Sequence, residues 1–324
     1  MCDLPVCYLP LPPPCVRSLS HLDISHLSDA SSSPPALSAL HSAGIALPPA
    51  PPKALSALEL ARRPQQPVVT FVQPLDELLA GGLPPCAITE VSGPPGAGKT
   101  ALALQCCVNS TLPPEHGGAG GAAVFVSTRS QFDAARAGQI AGGLARHIGV
   151  VSKGRSDFSA ETVLSRLHVF HCGTLASLLS CVAASLPALE TDPPVRLVAV
   201  DSLSFLLRGV PSNTERALAL AAIMEALNKL SRDSGPAVLV VNDATVKGGG
   251  DEWAGEGGGE VVPALGEAMA GMVATRIRLG EGGGQRDAKG CEVREAEIIK
   301  GVMGGGGGRA CFVVTEEGVR GAKL

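Results

Sequence analysis

Residues 93–100 read GPPGAGKT, and no other stretch constrains the chain as strongly. The spacing G-x-x-x-x-G-K-[ST] wraps backbone N–H groups around the phosphates of a nucleotide. Gly93, Gly96 and Gly98 let the backbone turn, and approach a ligand, where a Cβ would obstruct it. Lys99 then reaches the β/γ-phosphates, and Thr100 offers its hydroxyl to Mg²⁺. A chain with 40 glycines can produce such a spacing by chance, so the flanks decide. Upstream, AITEV (87–91) predicts a short buried strand, and downstream TALALQCCVN (100–109) predicts the start of a helix. Strand, loop and helix in that order are what the chemistry needs, and the helix N-terminus adds a positive dipole end for anions. The expected ligand is a nucleotide, held by Gly93, Pro94, Pro95, Gly96, Ala97, Gly98, Lys99, Thr100 and Ala101.

A second signature lies about a hundred residues on. VRLVAV (195–200) followed by Asp201 is a buried strand with a carboxylate emerging at its C-terminal end, where P-loop enzymes hold Mg²⁺ directly or through water. Lys99 and Asp201 are therefore the candidate catalytic pair, and Thr100 and Asp201 the candidate Mg²⁺ ligands.

Residues 1–66 are rich in Pro, Ser and Ala with only short apolar patches (36–45 and 54–61), and read as a tail or degraded helical module. From residue 67 to 324 the pattern is that of one nucleotide-binding domain. VVTFV (68–72) predicts a strand, and QPLDELLAGGL a short helix ended by Gly81 and Gly82. Further strands are expected at 122–127, 167–171 and 237–241, with helices over 131–148, 175–189 and 214–232. Residues 247–259 form a glycine-rich loop, and strands at 275–279, 296–300 and 311–315 predict terminal hairpins. Alternating strands and helices argue an α/β fold with a mainly parallel central sheet, followed by C-terminal antiparallel strands. Ligands of such sheets sit beyond the strands' carboxyl ends, where Gly93–Thr100, Asp201 and Asn242 fall.

Composition excludes some classes. The longest helical apolar stretch, 217–230, contains Glu225 and Lys229, so no membrane span is expected. The N-terminus lacks a basic leader and is broken by prolines, unlike a secretory signal. Ten scattered cysteines, several in expected core elements, suit reduced buried thiols. Cys2, Cys7, Cys15, His21 and His26 lack the paired spacing of a zinc site, and free thiols are the preferred reading. A net charge of −4, without a basic block, predicts no whole-molecule attraction to nucleic acid, so DNA contact has to be local or shared with a partner.

LDELLAGGLPPCAITEVSGPPGAGKTALALQ, VRLVAVDSLSFLLR and VPALGEAMAGMVATRIRL, in this order and separation, resemble the RecA/RadA recombinase superfamily over about residues 70–320. The closest resemblance is to eukaryotic paralogues of the strand-exchange recombinase, and among them to the C branch. It implies a RecA-like P-loop core binding ATP and Mg²⁺, a nuclear location, and work in homologous recombination. The implied partners are other RecA-like paralogues, the main recombinase, and single-stranded or branched DNA reached through the complex. Residues 208–216 take the place of the first DNA-facing loop and 245–263 that of the second.

Two positions depart from the family pattern. After the strand AAVFV the family reads aspartate–threonine–glutamate–glycine, the glutamate acting on the attacking water. Here stand Ser127, Thr128, Arg129 and Ser130. A general base worth about 10²–10⁴-fold in rate is thereby replaced by a cation that could instead touch phosphate. Asp243 stands where the family has a glutamine that senses the γ-phosphate, and a carboxylate there is expected to repel phosphate unless protonated or metal-bound. The second loop also sets Lys247 against Asp251, Glu252, Glu256 and Glu260, which disfavours a phosphate backbone, and Trp253 within it reads as incidental rather than as a base-stacking residue. The favoured expectation is an ATP-binding accessory subunit with weak or absent hydrolysis. The alternative is an active DNA-dependent ATPase or strand-exchange enzyme using another acid, such as Asp133, as base. A small-molecule P-loop kinase ranks last, since no basic lid is evident.

Overall fold

The computed structural model describes residues 13–24, 35, 56, 58, 66–129, 132–153, 158–247, 260–301 and 307–322. The chain divides into two compact units, Met1–Pro64 and Gln65–Leu324. In the first, helix α1 (Pro13–His21) buries Leu19.

The second unit is built on one sheet. Helix α2 (Gln73–Leu78) leads to strand β1 (Ile88–Gly93), then helix α3 (Lys99–Ser110), β2 (Ala122–Ser127), α4 (Ala134–Val151), α5 (Ala160–Ser165) and β3 (Leu167–His171). There follow α6 (Leu175–Ser180), β4 (Val195–Asp201), α7 (Leu203–Arg208), α8 (Asn213–Ser234), β5 (Ala237–Lys247), β6 (Glu260–Pro263) and α9 (Gly266–Ala270). Strands β7 (Thr275–Arg286), β8 (Glu292–Lys300), β9 (Arg309–Thr315) and β10 (Gly318–Gly321) close the unit. The sheet order is β10-β9-β8-β7-β1-β5-β4-β2-β3, with β6 paired to β5 off this path. Strands β7, β1, β5, β4, β2 and β3 run parallel, and β7 to β10 are antiparallel, as the pattern of the sequence predicts.

The strands are apolar on both sides because helices cover both faces. Successive side chains point to opposite faces, so Ala123, Phe125, Leu197, Ala199, Leu239 and Val241 pack with α3 and α4. Their neighbours Val124, Val126, Val198, Val200, Val238 and Val240 pack with α7 and α8. Helix α8 delivers Leu220, Ile223, Leu227 and Leu230 to that second core, at the spacing expected of its apolar stripe.

Several expectations need correction. VVTFV (68–72) is not a sheet strand; only Val68 forms a bridge, to Leu83. Its polar groups are met otherwise: Thr70 N donates to Asp76 Oδ1 at 2.7 Å, and Val69 O accepts from Asn109 Nδ2 at 2.7 Å. Phe71, at φ +63°, turns the chain away from extended pairing. The helix expected over 175–189 ends as α6 at Ser180 and continues as a π-turn, Cys181–Ser185. Strand β7 runs seven residues beyond Leu279, through glycines with no apolar alternation. The apolar patches 36–45 and 54–61 lie almost wholly outside the described residues, as do Cys2, Cys7 and His26 of the dismissed zinc set, loop residues 248–259 with Trp253, and Ser130. Among the described residues no group of three or more potential metal ligands occurs, and no helix is long and apolar enough to cross a membrane.

Candidate nucleotide site

The GPPGAGKT loop joins β1 to α3 at the carboxyl edge of the parallel strands, where strand ends leave a crevice. Its glycines are required by geometry. Gly93, at φ +157°, lies where an added Cβ would come within 2.4 Å of Leu279 O. Gly98, at φ +95°, is the N-cap of α3, and an added Cβ would meet Val314 and Phe312 at 3.2 and 3.3 Å. With no side-chain cap on α3, the first N–H groups of the helix are left for an anion.

A cavity of about 510 Å³ opens above this loop. Pro95, Gly96, Gly98, Lys99, Thr100 and Ala101 line one side, and Ser127 and Asp201 at the ends of β2 and β4, Arg129 just beyond β2, and Asp243 within β5 line another. Leu104, Phe125, Phe132 and Val314 supply an apolar end. Gly93, Pro94 and Ala97 belong to the loop without lining the cavity; Gly93 and Pro94 serve it through their carbonyls. Lys99 Nζ donates to Gly93 O at 2.8 Å and to Pro94 O at 2.9 Å, and stands 3.6 Å from Asp243 Oδ1. Burial lowers the Lys99 pKa, and Asp243 opposes that shift.

Thr100 Oγ1 donates to Asp201 Oδ2 at 2.6 Å, so two residues 101 positions apart set their oxygens side by side. Burial raises the Asp201 pKa, against the lowering influence of the Thr100 bond and of Arg129. Two adjacent oxygen donors suit a hard cation such as Mg²⁺.

The two departures from the family pattern meet in space. Arg129 Nη2 lies 2.5 Å from Asp243 Oδ2, and Arg208 Nη2 donates to the same oxygen at 2.7 Å. Ser204 Oγ adds a third donor at 3.1 Å, and Asp243 N donates back to Ser204 Oγ at 2.9 Å. The Arg129 guanidinium also sits 5.3 Å from the centroid of the Phe205 ring. Lys99, Arg129 and Arg208 thus lie against Asp243, and the missing glutamate and the new aspartate become one charge pair.

Asp133 also lines the cavity, but as the N-cap of α4 its carboxylate accepts from Arg136 N at 2.9 Å. Arg294 on β8, which the sequence did not single out, donates from Nε to Gly96 O at 3.1 Å and lines the same cavity. Beneath the site, Glu90 on β1 is fully buried. Its Oε1 accepts from Asn242 Nδ2 at 2.6 Å and its Oε2 from Arg276 Nε at 2.5 Å.

A family comparison decides the wider identity: the sequence model of Rad51 matches residues 62–320. The chain belongs to the Rad51 family. Relatives include the DNA repair protein RAD51 homolog 3 of Cricetulus griseus, 31% identical over 239 residues, which are 70% of this chain and 63% of the relative. The DNA repair protein XRCC3 of Bos taurus is 35% identical over 182 residues, 53% of this chain and 50% of the relative. The DNA repair and recombination protein RadA of Methanoculleus marisnigri is 38% identical over 183 residues, 53% of this chain and 54% of the relative. The matched part thus spans about half to two thirds of the length of these Rad51 relatives.

Proposed function

We propose that this chain is an ATP-binding recombinase paralogue that serves DNA double-strand break repair by homologous recombination, as a nuclear subunit of a complex of such paralogues. It holds nucleotide and hydrolyses it slowly or not at all. The names of the relatives support the repair role. The carboxylates of the cavity support the slow or absent hydrolysis. Asp243 is held by Arg129 and Arg208, Asp133 caps α4, and Asp201 is bonded to Thr100. Each of the three carboxylates among the described residues lining the cavity already accepts a hydrogen bond, and Arg129 stands where the family carries the glutamate that acts on the attacking water.

Residues 93–101 bind the phosphates, the backbone N–H groups of the loop and of the α3 N-terminus supplying donors and Lys99 the charge. To do so Lys99 exchanges its bonds with Gly93 O and Pro94 O for phosphate oxygens. Thr100 and Asp201 would hold Mg²⁺, which when bound neutralises charge between the β- and γ-phosphates. The apolar end with Phe132 and Val314 excludes water from one side of the nucleotide. With no basic block in the chain, DNA contact is made through the partners, which are other RecA-like paralogues and the main recombinase.

The reading is tested by thermal unfolding of the full chain with and without Mg-ATP, beside Lys99→Ala. Binding raises the midpoint of the native chain in proportion to ligand excess over Kd, and the variant shows no rise. No rise in the native chain, or an equal rise in the variant, contradicts it. A pull-down with and without ATP identifies the RecA-like chains that assemble with it.

A further inference from the structure

We propose that Asp243 sets the preference of the nucleotide site between diphosphates and triphosphates, weighing against the third phosphate. The inference rests on the reading of the cavity as an ATP site. In such a loop the first two phosphates lie on the backbone N–H groups around residues 96–100, and the third lies beyond them, against Lys99 and the ends of the neighbouring strands. That outer pole is where Asp243 stands. Its side chain is only 8% exposed, it lines the cavity, and its Oδ1 is 3.6 Å from Lys99 Nζ.

An oxygen bound to Lys99 therefore lies within a few ångströms of a carboxylate, in a setting where charges are poorly screened. A γ-phosphate must also take from Asp243 the share of Lys99, and of Arg129, that now neutralises it. A diphosphate meets Lys99 through its β-phosphate but stops short of Arg129, so the Arg129–Asp243 pair stays as it is. Arg208 supplies the counterweight. It does not line the cavity and its side chain is 56% exposed, yet its Nη2 lies 2.7 Å from Asp243 Oδ2. Arg208 is thus a positioning residue: it draws Asp243 away from Lys99 and lowers the penalty on the third phosphate.

The two side chains consequently act in opposite directions. Asp243→Asn removes the repelling charge while keeping an oxygen for Ser204, and shifts the ATP-to-ADP affinity ratio at least tenfold toward ATP. Arg208→Gln leaves Asp243 dependent on Lys99 and Arg129 and shifts the same ratio several-fold toward ADP. The native chain binds ADP at least as tightly as ATP.

The test is titration calorimetry of the full chain and both variants with ADP and with a non-hydrolysable ATP analogue, at fixed Mg²⁺ and salt. A shift toward ATP in Asp243→Asn together with a shift toward ADP in Arg208→Gln supports the proposal, and the reverse pair of shifts overturns it. An unchanged ratio in Asp243→Asn, or shifts of the same sign in both variants, overturns it, and a general loss of structure would lower both affinities together without separating them. Should Asp243→Asn fail to fold, the surface variant Arg208→Gln decides alone: a ratio unmoved, or moved toward ATP, refutes the assignment. Nucleotide binding with an unmoved ratio defeats this inference only, whereas a native chain that binds neither nucleotide defeats the ATP-site reading beneath it.

Discussion

The buried pair beneath the site makes a demanding prediction for Arg276→Met. Glu90 has no exposure and Arg276 is 6% exposed. One carboxylate oxygen accepts from Arg276 Nε at 2.5 Å and the other from Asn242 Nδ2 at 2.6 Å. Removing the guanidinium leaves a buried carboxylate with one neutral donor. Breaking a buried pair on one side costs about 3–5 kcal/mol. The Asn242 bond survives, so a loss near the lower end, about 3 kcal/mol, is expected. That is a large part of the 5–15 kcal/mol or so typical of a folded domain. With a urea slope of about 1–3 kcal/mol per molar, the midpoint falls by roughly 1 M or more. Glu90→Gln placed on top of Arg276→Met removes the orphaned charge, keeps an acceptor for Asn242, and recovers at least about half of the loss. Equilibrium urea unfolding followed by circular dichroism measures both. A single-variant loss below about 1 kcal/mol, or a double variant less stable than the single one, refutes the reasoning.

Asp76 gives a pH prediction. Burial raises its pKa above the ordinary carboxylate value, despite the Thr70 N–H bond that lowers it. The folded state therefore holds this proton more tightly than the unfolded chain, and the Asp76 contribution to stability falls as pH rises from the unfolded value through the raised folded one. Asp76→Asn keeps Oδ1 as acceptor for Thr70 N, so its stability relative to the native chain improves from pH 4 to pH 7; a relative stability flat over that range contradicts the assignment. Thiol labelling gives another. Burial pushes the Cys181 thiol up to about 12 and the Cys106 and Cys107 thiols well above their usual value, whereas Cys86 is exposed. At pH 8 a thiol reagent should modify Cys86 in the native state and Cys106, Cys107 and Cys181 only on unfolding; mapping the modified peptides checks this.

Much of the site was legible because its signals are local. GPPGAGKT carries its own geometry, and the apolar run before Asp201 announces a strand with an acid at its end. What was not legible is contact across the chain. Arg129 and Asp243 each stood out as a departure, but 114 residues separate them, and only the adjacency of β2, β4 and β5 in the sheet brings them to 2.5 Å. Arg294 lies 198 residues from the Gly96 carbonyl it meets, and nothing near it in sequence marks it. In the fold, the parallel core was readable from β-branched runs, since strands buried on both faces carry them continuously. The same signal misled at VVTFV, where side chains of Asp76 and Asn109 take the hydrogen bonds a neighbouring strand would have offered. Strand β7 beyond Leu279 escaped because GEGGGQR has no apolar alternation; there β8 defines the strand by pairing with it.

On the proposed function, the site grips ATP without acting on it. A single-turnover experiment with the full chain in excess over radiolabelled Mg-ATP tests it most directly. The bound nucleotide is expected to remain largely ATP over many minutes, and its retention to depend on Lys99. Release of phosphate at the rate of an active recombinase, abolished by Lys99→Ala, would contradict it.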